Sequence, residues 1–155
     1  MRRIAAFFLF ALLLPAAVEA AKPRVTLRAH LEANAHDGDV FSSKLRSPVS
    51  GRNVVIQKIP TISERDVVAF APYRAADGSF GALFELDDHG KLALDTLSIE
   101  RRGTYLYILV NARPVAELLI DRRVSDGKLY VASGLTESDI ALMKKDWRLI
   151  GHRKK

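Results

Sequence analysis

Apolar residues take every second position from Val25 to Ala33, as Val25, Leu27, Ala29, Leu31 and Ala33, with Thr26, Arg28, His30 and Glu32 between them. That period of two predicts a half-buried strand. The segment from Ala35 to Gly51 is rich in Asp, Gly, Ser and Pro and predicts a long loop or an irregular hairpin connection, after which a strand resumes over Asn53–Lys58 and ends at Pro60. Ser63 precedes Asp66 by three residues, the spacing of a capped helical turn. Strands are predicted at Val67–Tyr73 and Phe80–Leu86, joined through Asp77-Gly78, where glycine supplies the positive φ of a tight reversal. Beyond Leu86 the period lengthens. Leu92, Leu94, Leu97 and Ile99 fit a helix that Asp87 or Asp88 can cap, with Arg101 and Arg102 near its end and Gly103 closing it. A second hairpin is predicted over Tyr105–Val110, a turn at Asn111-Ala112-Arg113-Pro114, and Val115–Ile120. The turn Ser125-Asp126-Gly127 then leads to a strand at Lys128–Ala132. Thr136-Glu137-Ser138-Asp139 caps a last helix that carries Ile140, Met143 and Trp147 on one face. This order predicts an α+β domain: an antiparallel sheet with two main helices packed on one face, preceded by an extra N-terminal β-hairpin.

Ahead of the alternating pattern lies a different one. Arg2 and Arg3, the apolar run Ile4–Leu14, Pro15 and the small residues around Val18-Glu19-Ala20 have the form of a secretory signal peptide, with cleavage expected between Ala20 and Ala21. The competing reading is an uncleaved anchor. The run is shorter than the ~20 apolar residues that cross a bilayer, and Pro15 interrupts it, so cleavage is the better fit. The sequence contains 0 cysteines, which excludes disulfides and the acylated cysteine of a lipoprotein. The expected location is the bacterial periplasm or the exterior. The expected organisation is a signal peptide at 1–20, N-terminal strands and loop at 21–60, an α+β domain at 61–147 and a basic tail at 148–155.

Charge adds one candidate surface. The chain has 24 Lys and Arg against 18 Asp and Glu, a net charge of +6. Lys144, Lys145, Arg148, Arg153, Lys154 and Lys155 crowd the C-terminal end with only Asp146 against them. They could contact an anionic membrane surface, although cations near a helix C-terminus are also favoured by the unpaired carbonyls there. The cluster lacks the interleaved aromatics that stack bases, so no nucleic-acid partner is expected.

The search for chemistry yields no catalytic, cofactor or metal residues. His30, His36, His89 and His152 include no pair at the spacing of a helical metal site. His36-Asp37-Gly38-Asp39 lacks the further carboxylates of a calcium loop and is ordinary turn chemistry. Ser133-Gly134 is no nucleophile elbow, because Val131 stands where a glycine is required. Gly78-Ser79-Phe80-Gly81 lies at a hairpin tip rather than before a helix, so it is no phosphate cradle. Asp87 and Asp88 are explained as caps, and Glu85 and Asp95 as exposed positions.

From Ile62 to Trp147 the chain resembles the head subdomain of the first periplasmic domain of the SecD-type protein-export membrane proteins. The resemblance rests on Ser63-Glu64-Arg65-Asp66-Val67, the hairpin tip Ala76-Asp77-Gly78, the strand Leu83-Phe84-Glu85-Leu86 and the capped helix start Asp87-Asp88-His89-Gly90. Gly103, the strand Leu106–Val110, the turn Asn111–Arg113, Val115 and Leu135-Thr136-Glu137-Ser138-Asp139-Ile140 continue it. The family usually has glycine where this chain has Ala112, and Ala116-Glu117-Leu118 departs from its usual Ser-Ala-Pro. SecD continues into six membrane helices that couple proton flow to export, and this chain carries none, which implies that it is not itself a motor. The resemblance implies a non-enzymatic binding or scaffold module that contacts a polypeptide or an envelope partner. The alternatives are a peripheral binder of anionic membrane through the basic C-terminal segment, and a hydrolase whose site is assembled from distant residues.

Overall fold

The computed structural model describes residues 25–34 and 36–151. The expected signal peptide with its Ala20–Ala21 cleavage point, and Arg153, Lys154 and Lys155 of the basic cluster, lie outside these residues. The elements in order are β1 (Leu27–Leu31), β2 (Ser42–Arg46), β3 (Asn53–Gln57), β4 (Ile62–Ser63), a 3-10 turn (Glu64–Asp66), β5 (Val67–Arg74), β6 (Phe80–Leu86), α1 (Asp88–Glu100), β7 (Tyr105–Val110), β8 (Arg113–Leu119), β9 (Lys128–Leu135), α2 (Glu137–Asp146) and β10 (Arg148–Leu149). The α+β class and the two helices are as expected. The strands divide between two four-stranded sheets, β4-β1-β7-β8 and β10-β5-β6-β9, with β2–β3 as a separate antiparallel hairpin. All pairings are antiparallel except β10 with β5.

One apolar cluster joins both sheets and both helices. Leu27, Ala29, Ile108 and Val110 contribute from the first sheet, Phe70, Phe84 and Val131 from the second, Leu94 and Leu97 from α1, and Ile140 and Met143 from α2. Trp147 meets the rings of Phe70 and Phe84 edge-on at 6.1 and 6.0 Å, a geometry that the ring quadrupoles favour. Burying this much apolar surface, at about 25 cal/mol per Å², is the main source of stability in a domain without crosslinks.

The segment Ala35–Gly51, expected as a long loop or an irregular hairpin connection, holds the first strand of a hairpin. β2 pairs in full register with β3, from Ser42↔Gln57 to Arg46↔Asn53, yet its Ser-Ser-Lys-Leu-Arg sequence has no apolar alternation, so its conformation comes from pairing rather than burial. Neither β1 nor the hairpin stands apart from the rest. β1 is an inner strand between β4 and β7, and β2–β3 lies over the face of the first sheet opposite the core. On that face His30, Tyr107 and Glu117 are successive register partners. His30 is 6% and Tyr107 1% exposed. The hairpin meets them through His30 Nδ1 to the Gln57 carbonyl at 2.8 Å, the Ser47 hydroxyl to Glu117, and Ala33 N–H to the Val55 carbonyl at 2.9 Å. Burial, with Glu117 next, pushes the Tyr107 hydroxyl up to about 12, and burial holds His30 below its ordinary value.

Candidate functional site

Each four-stranded sheet ends on a strand with one unpaired edge, β8 in the first and β9 in the second, and these two strands lie alongside each other. They touch at one end. Gly134 holds φ +93 there, and a Cβ on it would stand 2.8 Å from the Val115 carbonyl oxygen, so glycine is what permits the close approach. Arg113 fastens this end: Nη1 donates to the Gly134 carbonyl at 3.1 Å and Nη2 to Asp139 Oδ2 at 2.6 Å. Asp139 is fixed in turn by the amide and hydroxyl of Thr136, the capping box that starts α2.

At the other end β8 and β9 diverge around an open cleft of about 730 Å³, with Leu83, Leu94, Leu97, Leu118 and Leu129 in its lining. One wall is the segment 120–127, strapped to α1. Arg123 donates Nε and Nη2 to the Asp95 carboxylate at 2.6 and 2.8 Å. Val124 N–H donates to Ser98 Oγ at 2.9 Å, and that hydroxyl donates to the Asp95 carbonyl at 2.8 Å. The Arg123 hydrogen bond holds the Asp95 carboxyl below the usual range. Asp95 was expected to be merely exposed; it anchors the strap instead. At the rim, Leu119 and Tyr130 are 52% and 55% exposed. Tyr130 stacks on Tyr73 at 5.8 Å, and burial together with this neighbour pushes the Tyr73 hydroxyl up to about 12. Tyr73 therefore stays protonated and donates to the Ala132 carbonyl at 2.7 Å. Its ring crosses β6 where Gly81 leaves room, since a Cβ there would stand 2.3 Å from the ring.

A second cluster lies at the start of α1. One ligand atom each from Asp66, Asp87 and His89 falls within 4.8 Å of the others. Asp66 Oδ1 meets His89 Nδ1 at 2.7 Å, while Oδ2 accepts from Ser63 N–H at 2.7 Å. Asp87 Oδ1 caps the helix by accepting from Gly90 N–H at 2.8 Å. Burial, the largest single influence, pushes Asp66 up, but the Ser63 and His89 hydrogen bonds outweigh it and hold the carboxyl low. Hydrogen bonding to Asp66 raises His89. These contacts fasten the 3-10 turn to α1, and the positive end of the helix dipole opposes a cation here.

The structure does not bring the sequence-predicted residues together at the cleft. Lys144 and Lys145 are exposed in the last turn of α2, and Arg148 is exposed in β10, which pairs with β5, so the basic segment begins inside the second sheet. Asp37 accepts from Asn34 N–H at 3.1 Å, the turn chemistry expected of His36–Asp39. The cleft was not legible in the sequence; its one local trace is the run of leucines that fit α1.

No protein-family model matches this sequence, and no curated protein matches it. Two strand layers with two helices and a covering hairpin define the class of domain, and solved structures resemble it in overall fold. One is of SecDF, described as a membrane component that enhances protein export, with TM-score 0.55, 13% identity, and 86% of this chain and 70% of that chain covered. Another is SecDF in a super-membrane-facing form, with TM-score 0.55 and 12% identity, where the match covers 81% of this chain and 19% of the other. The likeness therefore takes in strands outside Ile62–Trp147 and, at such low identity, concerns the fold. No helix among the described residues is long and apolar enough to cross a membrane.

Proposed function

We propose that this chain is a protein-export-related binding module of the bacterial envelope, holding an extended polypeptide segment in the cleft between β8 and β9. The observation that carries this reading is a cleft with an apolar lining, bordered by two strands that each have an unpaired edge. An extended chain can satisfy its own amides against a strand edge while its side chains fill apolar pockets. The likeness to SecDF, a component that enhances protein export, supports the same class of partner. The reading is non-catalytic: Arg123 in the lining is neutralised by Asp95, and the Ser98 hydroxyl there is taken up by Val124 N–H and the Asp95 carbonyl. The signal-peptide pattern read at 1–20 of the sequence supports a periplasmic or secreted location.

Fluorescence anisotropy of a labelled, unstructured apolar peptide tests the proposal. The full chain should bind saturably, and Leu119→Asp and Tyr130→Asp, both at exposed rim positions, should each weaken binding roughly tenfold or more by placing charge against apolar surface. Equal binding by both variants would exclude the cleft. If the peptide failed to bind, while anionic liposomes captured the parent but not a Lys144/Lys145/Arg148→Gln variant, the membrane-surface reading would replace this one. Neutralisation is preferable to truncation because Arg148 belongs to β10.

A further inference from the structure

Between the β2–β3 hairpin and the end of α1 lies another cavity, of about 540 Å³, which shares no lining residue with the peptide cleft. Its lining is unlike the leucine-rich cleft, since Arg52, Arg101, Asn34 and Asn53 face it, with Glu32 as its one carboxylate. Arg101 is the C-cap residue of α1. Its Nη2 reaches the Glu32 carbonyl at 3.3 Å, and its Nε is buried with no acceptor among the described residues. A buried guanidinium N–H without an acceptor is unfavourable, so a turn of the Arg101 side chain that brings Nε to an oxygen in the cavity is favoured. Arg52, just ahead of β3, makes no hydrogen bond or ion pair through its guanidinium among the described residues. Glu32 is partly committed elsewhere, with Oε2 accepting from Tyr105 N–H at 3.3 Å.

We propose that this cavity binds a phosphate monoester carried by a small polar molecule. Two guanidiniums provide planar, paired donors that match phosphate oxygens. The Asn34 and Asn53 carboxamides can serve a remaining oxygen or the hydroxyls of the ligand body. The volume exceeds that of a bare ion and falls in the range of small-molecule sites. Because the lining comes from the end of β1, from β3 and from the end of α1, an occupant joins the hairpin to the helix.

The test follows the side-chain Nε–H resonance of Arg101 in the full chain by NMR, with inorganic phosphate, glycerol 3-phosphate, acetate and phosphatidylglycerol vesicles as probes. Both phosphates should shift the resonance saturably, glycerol 3-phosphate at lower concentration, and acetate should do so less. Arg52→Gln and Arg101→Lys should weaken glycerol 3-phosphate binding roughly tenfold, the lysine variant because it keeps the charge and loses the fork. Glu32→Gln retains an acceptor for Tyr105 and removes the opposing charge, so it should tighten binding about threefold, a gain that misfolding cannot mimic. Vesicles that compete with glycerol 3-phosphate would identify the phosphate as a lipid headgroup, and vesicles without effect would leave a free molecule. An Arg101 resonance indifferent to both phosphates, or unchanged affinity in Glu32→Gln, would overturn the assignment.

Discussion

Ala112 stands at the second of two consecutive positions with positive φ, Asn111 at +49 and Ala112 at +62, in the turn between β7 and β8. Asparagine tolerates that geometry, whereas the alanine Cβ crowds its own backbone by about 1–2 kcal/mol. The turn cannot relax easily, because Asn111 exchanges hydrogen bonds with Thr26, Oδ1 accepting from Thr26 N–H and its own N–H donating to the Thr26 carbonyl, both at 3.0 Å. Ala112→Gly should therefore stabilise the protein by about 0.5–1 kcal/mol after the added freedom of the unfolded chain is subtracted. Thermal unfolding would register this as a rise of a few degrees, and a fall would show that strain is absent. The sequence presented Asn111–Pro114 as one four-residue turn. Pro114 instead sits opposite Leu109 at a bulge, on an edge strand where its missing N–H costs no sheet pairing.

At the scale of elements, the 3-10 turn and α1 are joined by side chains 23 residues apart, His89 and Asp66. The raised His89 contributes stability that is full below about pH 6.5 and is lost as pH rises through its raised value, while the lowered Asp66 contributes above about pH 3.8 and loses its share as pH falls through its lowered value. His30 works in the opposite sense to His89: its depressed value gives a contribution present above about pH 6.5 and lost as pH falls through it. Comparing the parent with His89→Gln isolates the first effect. The difference in melting temperature should be larger near pH 5 than near pH 8; an equal difference at both would mean that the charged pair does not link these elements. The caps at Ser63, Asp87 and Thr136 were legible because the donor and acceptor sit within one helical turn. The Asp66–His89 pair and the Arg123–Asp95 strap were not, since 23 and 28 residues separate their members and nothing local marks them.

Across the whole molecule, the hairpin either belongs to the cooperative unit or rides on it. Ile56 is 3% exposed and forms a bridge with Glu32 beyond the end of β1, so the hairpin should fold with the rest. Ile56→Ala should lower global stability by about 2 kcal/mol, and Trp147 fluorescence, reporting from the other sheet, should show the loss as an earlier single denaturant transition. An unmoved Trp147 transition would make the hairpin an independent flap. The strands of the core were legible from their period of two, but alternation does not state which sheet a strand joins. The division into two sheets, and with it the cleft where they part, follows from long-range register that no single stretch of sequence encodes.

The amide of Val25 donates to Asp146 Oδ2 at 2.8 Å, immediately before β10. The beginning and the end of the folded region are thus neighbours across the seam of the two sheets. A tether fused at either end would leave from the same pole, and a short linker could close the chain into a circle without disturbing a strand.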